Sequence, residues 1–113
     1  MRETDALILQ RFPGARLVNY GHLGDGNLHY NVQAPASDDA ARFLNEEEKP
    51  INALVYESVA RYGGSISAEH GVGSLKAEKL EQHKSPVALD LMRSIKKALD
   101  PHNLMNPGRV LRL

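Results

Sequence analysis

The chain has 113 residues, enough for one small domain with a core of its own. Its 14 basic and 14 acidic side chains leave no formal net charge, so neither nucleic acid nor an anionic membrane is indicated as a partner. Cysteine is absent, which excludes disulfides and thiolate ligands, so a metal would have to use His, Asp or Glu; a cytoplasmic setting is expected.

No apolar run reaches membrane-spanning length, and Met1-Arg2-Glu3-Thr4-Asp5 carries no signal-peptide pattern. Residues 3–12 read as a short helix with Leu7, Ile8 and Phe12 on its apolar side, stopped by Pro13-Gly14. Ala15 to Leu23 and Asn27 to Gln33 read as two strands of a hairpin. Asp25-Gly26 suits a two-residue type I′ loop, which would pair Gly24 with Asn27, Leu23 with Leu28 and His22 with His29. One face then carries Tyr20, His22, His29 and Asn31. The other carries Leu17, Leu23, Leu28, Tyr30 and Val32, as expected when one side of a sheet packs on helices.

Ser37-Asp38-Asp39 reads as a helix N-cap, with a helix to about Glu48 and a break or restart at Pro50. Ile51, Leu54, Val55, Val59 and Tyr62 form an apolar stripe at helical spacing that Gly63-Gly64 ends. Ser65 to Ala68 is expected to be a short strand that delivers Glu69-His70 to the edge of the hairpin. Residues 74–83 are weakly helical. Ser85-Pro86 starts a helix whose buried face is read as Leu91, Ile95, Ala98 and Leu99, and Asp100-Pro101 ends it. The order α-β-β-α-β-α indicates a two-layer α+β domain, an antiparallel sheet with helices on one face.

Three clusters carry candidate chemistry. In His22-Leu23-Gly24-Asp25-Gly26-Asn27-Leu28-His29, two imidazoles directly opposite on one face have Cβ atoms about 4.5–5.5 Å apart and can share a metal ion. With Glu69 they would make a His₂Glu set, probed first with zinc. The bland alternative is two exposed strand histidines and a local capping carboxylate. The second cluster, Ser67-Ala68-Glu69-His70-Gly71-Val72-Gly73, sets a carboxylate beside an imidazole between small residues. Strand neighbours point to opposite faces, so both can serve one site only if the backbone leaves the strand there, and Gly71 and Gly73 permit that. An imidazole suits proton abstraction from an alcohol. Lys76 is read as a solvated lysine and His83 and His102 as surface or turn residues. The third cluster is Asp100-Pro101-His102-Asn103-Leu104-Met105-Asn106-Pro107-Gly108-Arg109.

In this order, from about Phe12 to Val110, the three clusters resemble the C-terminal domain of FAD-linked oxidoreductases acting on D-2-hydroxy acids: D-lactate, glycolate and D-2-hydroxyglutarate dehydrogenases. The resemblance implies a partial ferredoxin-like fold lacking its first elements. It implies that His22, His29 and Glu69 match the ligands of metal-dependent members, and that His70 matches the catalytic base. It implies that Asn27 contacts substrate or flavin, against a plain turn role, and that Asn106 approaches the flavin ring. Arg109 stands where the family usually has lysine. Such enzymes are several times longer and carry an N-terminal FAD-binding domain with no trace in residues 1–113, so the chain is expected to be the substrate and metal domain of a longer flavoenzyme. Its partners would be that domain, a small 2-hydroxy acid and an electron acceptor, with contact to a membrane only through that acceptor. A fragment with an uncovered domain face would also self-associate. A His₂Glu metallohydrolase and a non-catalytic binding module are the competing readings.

Overall fold

In the computed structural model, which describes residues 1–113, helix α1 spans Arg2–Arg11 and stops at Pro13-Gly14, where Gly14 takes φ +83°. The chain divides into two units, Met1–Ser65 and Ile66–Leu113. In the first, Ile8 and Phe12 of α1 enter a core with Ala15 and Ile51, flanked by Leu17, Tyr30, Val32, Phe43, Leu54 and Val55. The Thr4 and Ser58 hydroxyls satisfy each other inside it at 2.7 Å.

Strands β1 (Arg16–His22) and β2 (Asn27–Gln33) form an antiparallel hairpin. Its register differs from the expected one. His22 pairs with Asn27, Gly21 with Leu28 and Tyr20 with His29. The connection has four residues: Leu23–Asp25 make a 3₁₀ turn, and Gly26 at φ +65° returns its amide to Leu23 O. A turn followed by one left-handed residue competes with the type I′ loop and wins here. The slip is two residues, and side chains alternate with period 2, so the expected faces survive. Leu23 alone leaves the apolar face for the exposed loop. Gly21 permits this register: a Cβ there would lie 2.2 Å from Asn27 O and 2.8 Å from Leu28 Cα.

Helix α2 runs without interruption from Ala40 to Arg61, so the expected break at Pro50 is absent. Asp39 caps it, accepting from Ala41 and Arg42 amides. Burial of Ile51, Leu54 and Val55 on the first unit's core outweighs the one donor that Pro50 lacks. Tyr62 is exposed rather than part of the buried stripe, and its hydroxyl donates to Glu3, which Arg61 also meets.

The second unit contains no strand, so the sheet is the hairpin alone and the expected third strand at 65–68 is not formed. The segment satisfies itself locally instead. Ser67 Oγ donates to Gly71 O at 2.6 Å, Lys76 Nζ to Ile66 O at 3.3 Å and Lys76 N to Val72 O at 3.2 Å. Helix α3 covers Ala77–His83, and α4 covers Pro86–Leu99 with Ser85 capping the Ala88 amide. The expected buried face of α4 is reversed. Leu89 is buried, whereas Leu91, Ile95, Ala98 and Leu99 are exposed. The unit has too few elements to cover both sides of the helix, and Leu89 with the half-buried Met92, Arg93 and Lys96 takes the inner side. The architecture is α+β, four helices and a two-stranded antiparallel sheet; its first unit has the order α-β-β-α, the middle of a βαββαβ ferredoxin-like unit. No helix is long and apolar enough to cross a membrane.

Candidate active site

On the polar face of the hairpin, His22 and His29 are diagonal neighbours, because each faces a different residue across the strands. Diagonal positions lie about 7–8 Å apart, a reach two imidazoles can still close. Each ring has another neighbour nearer. The His29 ring stacks on Tyr20, centroids 4.9 Å apart and planes 14° from parallel. His22 Nδ1 lies 4.0 Å from the Asp25 carboxylate. Asn27 faces His22 across the hairpin, and its side-chain oxygen is buried. Asn31 shares the face and donates its amide to Val18 O at 3.0 Å. On the opposite face, Tyr30 donates to Asp5 at 2.7 Å and Asn19 donates to the same oxygen. Burial, then the Asp5 bond and charge, push the Tyr30 phenol well above its ordinary range.

In the second unit, the backbone does leave extended geometry where the sequence suggested. Gly71 and Gly73 hold φ +72° and +56°, and the departure brings Glu69 and His70 side chains to 3.8 Å. Sequence reasoning missed what braces this loop. Lys76, set aside as solvated, is half-buried and holds Ile66 O. Val110 N–H donates to Gly73 O at 2.7 Å, which fastens the C-terminal segment to the glycine loop. The second and third clusters thus meet within one unit.

The third cluster is a run of unusual backbone. Asn103, Asn106, Gly108 and Val110 all have positive φ, which glycine and asparagine tolerate and valine does not. Asp100, its carboxylate almost wholly buried, accepts from Leu104 and Met105 amides at 2.8 and 2.9 Å and pairs with Lys96. The Lys96 bond, with those amides, holds its carboxyl below the usual range. Between these residues lies an open cleft of about 550 Å³, lined by Gly73, Lys96, Met105, Asn106, Arg109, Val110 and Leu111. Asn106, expected to approach a cofactor, stands in its wall.

Of the expected metal ligands, His22 and His29 share a face in the first unit and Glu69 lies in the second, and no group of three His, Asp or Glu side chains that could hold an ion is found. A catalytic zinc needs three protein ligands.

The chain belongs to the FAD-linked oxidases, as their C-terminal domain, matching over residues 1–110. Among its relatives is the D-2-hydroxyglutarate dehydrogenase of Stutzerimonas stutzeri strain A1501, 41% identical over 110 residues, which are 97% of this chain and 24% of that one. The mitochondrial D-2-hydroxyglutarate dehydrogenase of Arabidopsis thaliana is 47% identical over 86% of this chain and 16% of its own length; that of Bos taurus is 45% identical over 88% and 17%. The chain therefore spans about a quarter or less of the curated relatives it matches.

Proposed function

We propose that this chain is the C-terminal part of an FAD-dependent oxidoreductase that oxidises a 2-hydroxy acid, of the D-lactate, glycolate or D-2-hydroxyglutarate type, to the 2-oxo acid. The single observation that carries the reading is the Glu69–His70 loop held against the Asn106–Val110 segment in a member of this family. D-2-hydroxyglutarate is the first substrate to try, because the named relatives are its dehydrogenases. Bound FAD supplies the acceptor for the α-hydride. Asn106 fits a contact to it, since its left-handed backbone turns the side chain into the wall of an open cleft. Asn27 is a separate candidate for substrate or flavin in the first unit. The upstream portion of such an enzyme supplies the rest of the cradle, and the electron acceptor lies outside the reading.

His70 takes the substrate's hydroxyl proton. Its side chain is 82% exposed, so a ligand meets it directly, and the Glu69 carboxylate lies 3.8 Å from its Nε2. Glu69 thereby orients the base. His22 and His29, with Glu69, remain the ligand set to test for zinc, but no step here is routed through a metal ion. A cytoplasmic location belongs to the same reading; its support is the cysteine-free sequence.

The test is a chimera. Residues 1–110 replace the matching segment of the Stutzerimonas relative, and flavin bleaching is followed with each 2-hydroxy acid. Reduction by one of them is expected, with His70→Ala slower by about 10²–10⁴ at unchanged flavin content. A folded, flavin-loaded chimera that no 2-hydroxy acid reduces would reject the reading. Bleaching by His70→Ala at the parental rate would remove His70 as the base.

A further inference from the structure

The Asn106-Pro107-Gly108-Arg109 segment closes as a β-turn. Arg109 N donates to Asn106 O at 3.2 Å, and Gly108 takes φ +71°. Proline second and a left-handed glycine third are the marks of a type II turn, whose ends lie within about 7 Å. Asn106 and Arg109 therefore stand side by side in the wall of the cleft of about 550 Å³. Neither side chain has a partner within the chain. The other cation of the cleft, Lys96, is occupied, because its ammonium donates to Asp100 and to Met105 O at 2.6 Å. Asp100 in turn turns both oxygens inward, onto the Leu104 and Met105 amides and Lys96. No acidic side chain lines the cleft. One positive charge, the Arg109 guanidinium, is thus left uncompensated there, beside an apolar lining of Met105, Val110 and Leu111.

We propose that this cleft is a binding subsite for a small organic acid. Its carboxylate lies on the Arg109 guanidinium, a planar fork of donors that matches a planar carboxylate with two parallel bonds. The Asn106 amide donates to one of the same oxygens, and the carbon chain runs along Met105 and Leu111. A single uncompensated charge suits a monoanionic carboxylate. A phosphate dianion would leave one of its charges unmatched, which is costly away from water. The cleft's volume falls in the range of sites for drug-sized ligands, so it admits the carbon body as well as the charged group. Such a subsite is additional to the flavin contact given to Asn106, and it forms whether or not a flavin binds.

Nuclear magnetic resonance titration of the 113-residue chain with sodium propionate, against sodium chloride at equal ionic strength, tests this. The expected result is a saturable shift of the Asn106 side-chain amide and the Arg109 guanidinium signals that chloride does not produce. Arg109→Gln should weaken binding about tenfold or more, the usual loss for a hydrogen bond to a charged group, with the other amide signals in place. Asn106→Asp keeps the shape and tolerates the left-handed backbone, but sets a carboxylate in the cleft; it should weaken binding at least as much. Arg112→Gln removes a cation of the same terminal segment that faces Glu78 at 3.5 Å, and should leave binding unchanged. Inorganic phosphate should bind more weakly than propionate. No saturable response to propionate overturns the proposal, as does parent-like binding by Arg109→Gln or Asn106→Asp. Equal weakening by Arg112→Gln overturns it in favour of unspecific attraction to basic residues, and phosphate binding tighter than propionate overturns the carboxylate assignment.

Discussion

Val110 donates its amide to Gly73 O at 2.7 Å, and this bond closes the C-terminal segment on the loop that carries Glu69 and His70. Val110 does so at φ +65°, where a β-branched residue costs of order 1–3 kcal/mol. Earlier in the same segment, Asp100 is tied to Leu104, Met105 and Lys96.

Val110→Pro removes the donor and cannot adopt a positive φ. The expected loss is about 1–3 kcal/mol in urea unfolding of the second unit. Amide exchange should rise at residues 66–73 and stay unchanged in β1 and β2. Protection at 66–73 equal to the parent's would show that the clasp does not hold the loop.

Gly21→Ala tests the hairpin register. The new Cβ meets only backbone, at Asn27 O and Leu28 Cα, so no side chain can swing aside. Overpacking of this kind costs about 1–3 kcal/mol. The Tyr20–His29 stack should be lost with it, seen as a shift of the His29 ring protons. A two-residue loop with His22 opposite His29 would separate Gly21 from Asn27, and the substitution would then be nearly silent.

Much of the first unit was legible because local signals agree there. Pro13-Gly14, the alternating hairpin strands and the Asp39 cap each have one cheap solution. The hairpin faces followed from period-2 alternation, which a two-residue slip leaves intact, whereas the register depended on choosing between two glycine turns of similar cost. Pro50 misled because core burial of Ile51 acts through tertiary contacts that no window of sequence contains. In the second unit the apolar row of α4 was read as core because hydrophobicity reports what wants covering, not what covers it. Glu69 and His70 were legible as a pair from their glycines; Lys76 and Val110 were not, since a bond to a distant carbonyl leaves no pattern in the chain.

Two carboxyl-linked groups should shape the pH dependence of stability in opposite directions. Tyr30 has its folded pKa raised, chiefly by burial and then by Asp5, so its contribution is complete below the phenol's unfolded value near ~10 and fades as pH rises beyond it. Asp100 has its folded pKa lowered, chiefly by Lys96, so its contribution is complete above the unfolded carboxyl value near ~3.9 and is lost as pH falls through the folded one. Urea midpoints across pH should therefore drop at both extremes. Tyr30→Phe should flatten the alkaline arm and Asp100→Asn the acid arm; a Tyr30→Phe profile that keeps the parent's alkaline slope would show that another group sets it.

Zinc titration separates the three proposed ligands. His22 and His29 share the polar face of one hairpin, while no three ligating side chains are gathered in the chain. Two imidazoles can hold zinc only weakly, since structural sites use four protein ligands and catalytic sites three. The 113-residue chain should accordingly bind zinc weakly, with shifts confined to the His22 and His29 rings. Replacing either histidine by alanine should abolish those shifts. The stack on Tyr20 should break as His29 turns toward the ion, so Tyr20 ring signals should move in step with the histidines. Glu69→Gln decides whether the carboxylate takes part: an unchanged titration leaves the ion to the two histidines, and a weakened one makes Glu69 a third ligand. In the flavin-loaded chimera the same substitution distinguishes two roles. Loss of zinc along with activity would make Glu69 a ligand, and retained zinc with slowed flavin reduction would make it the group that orients His70.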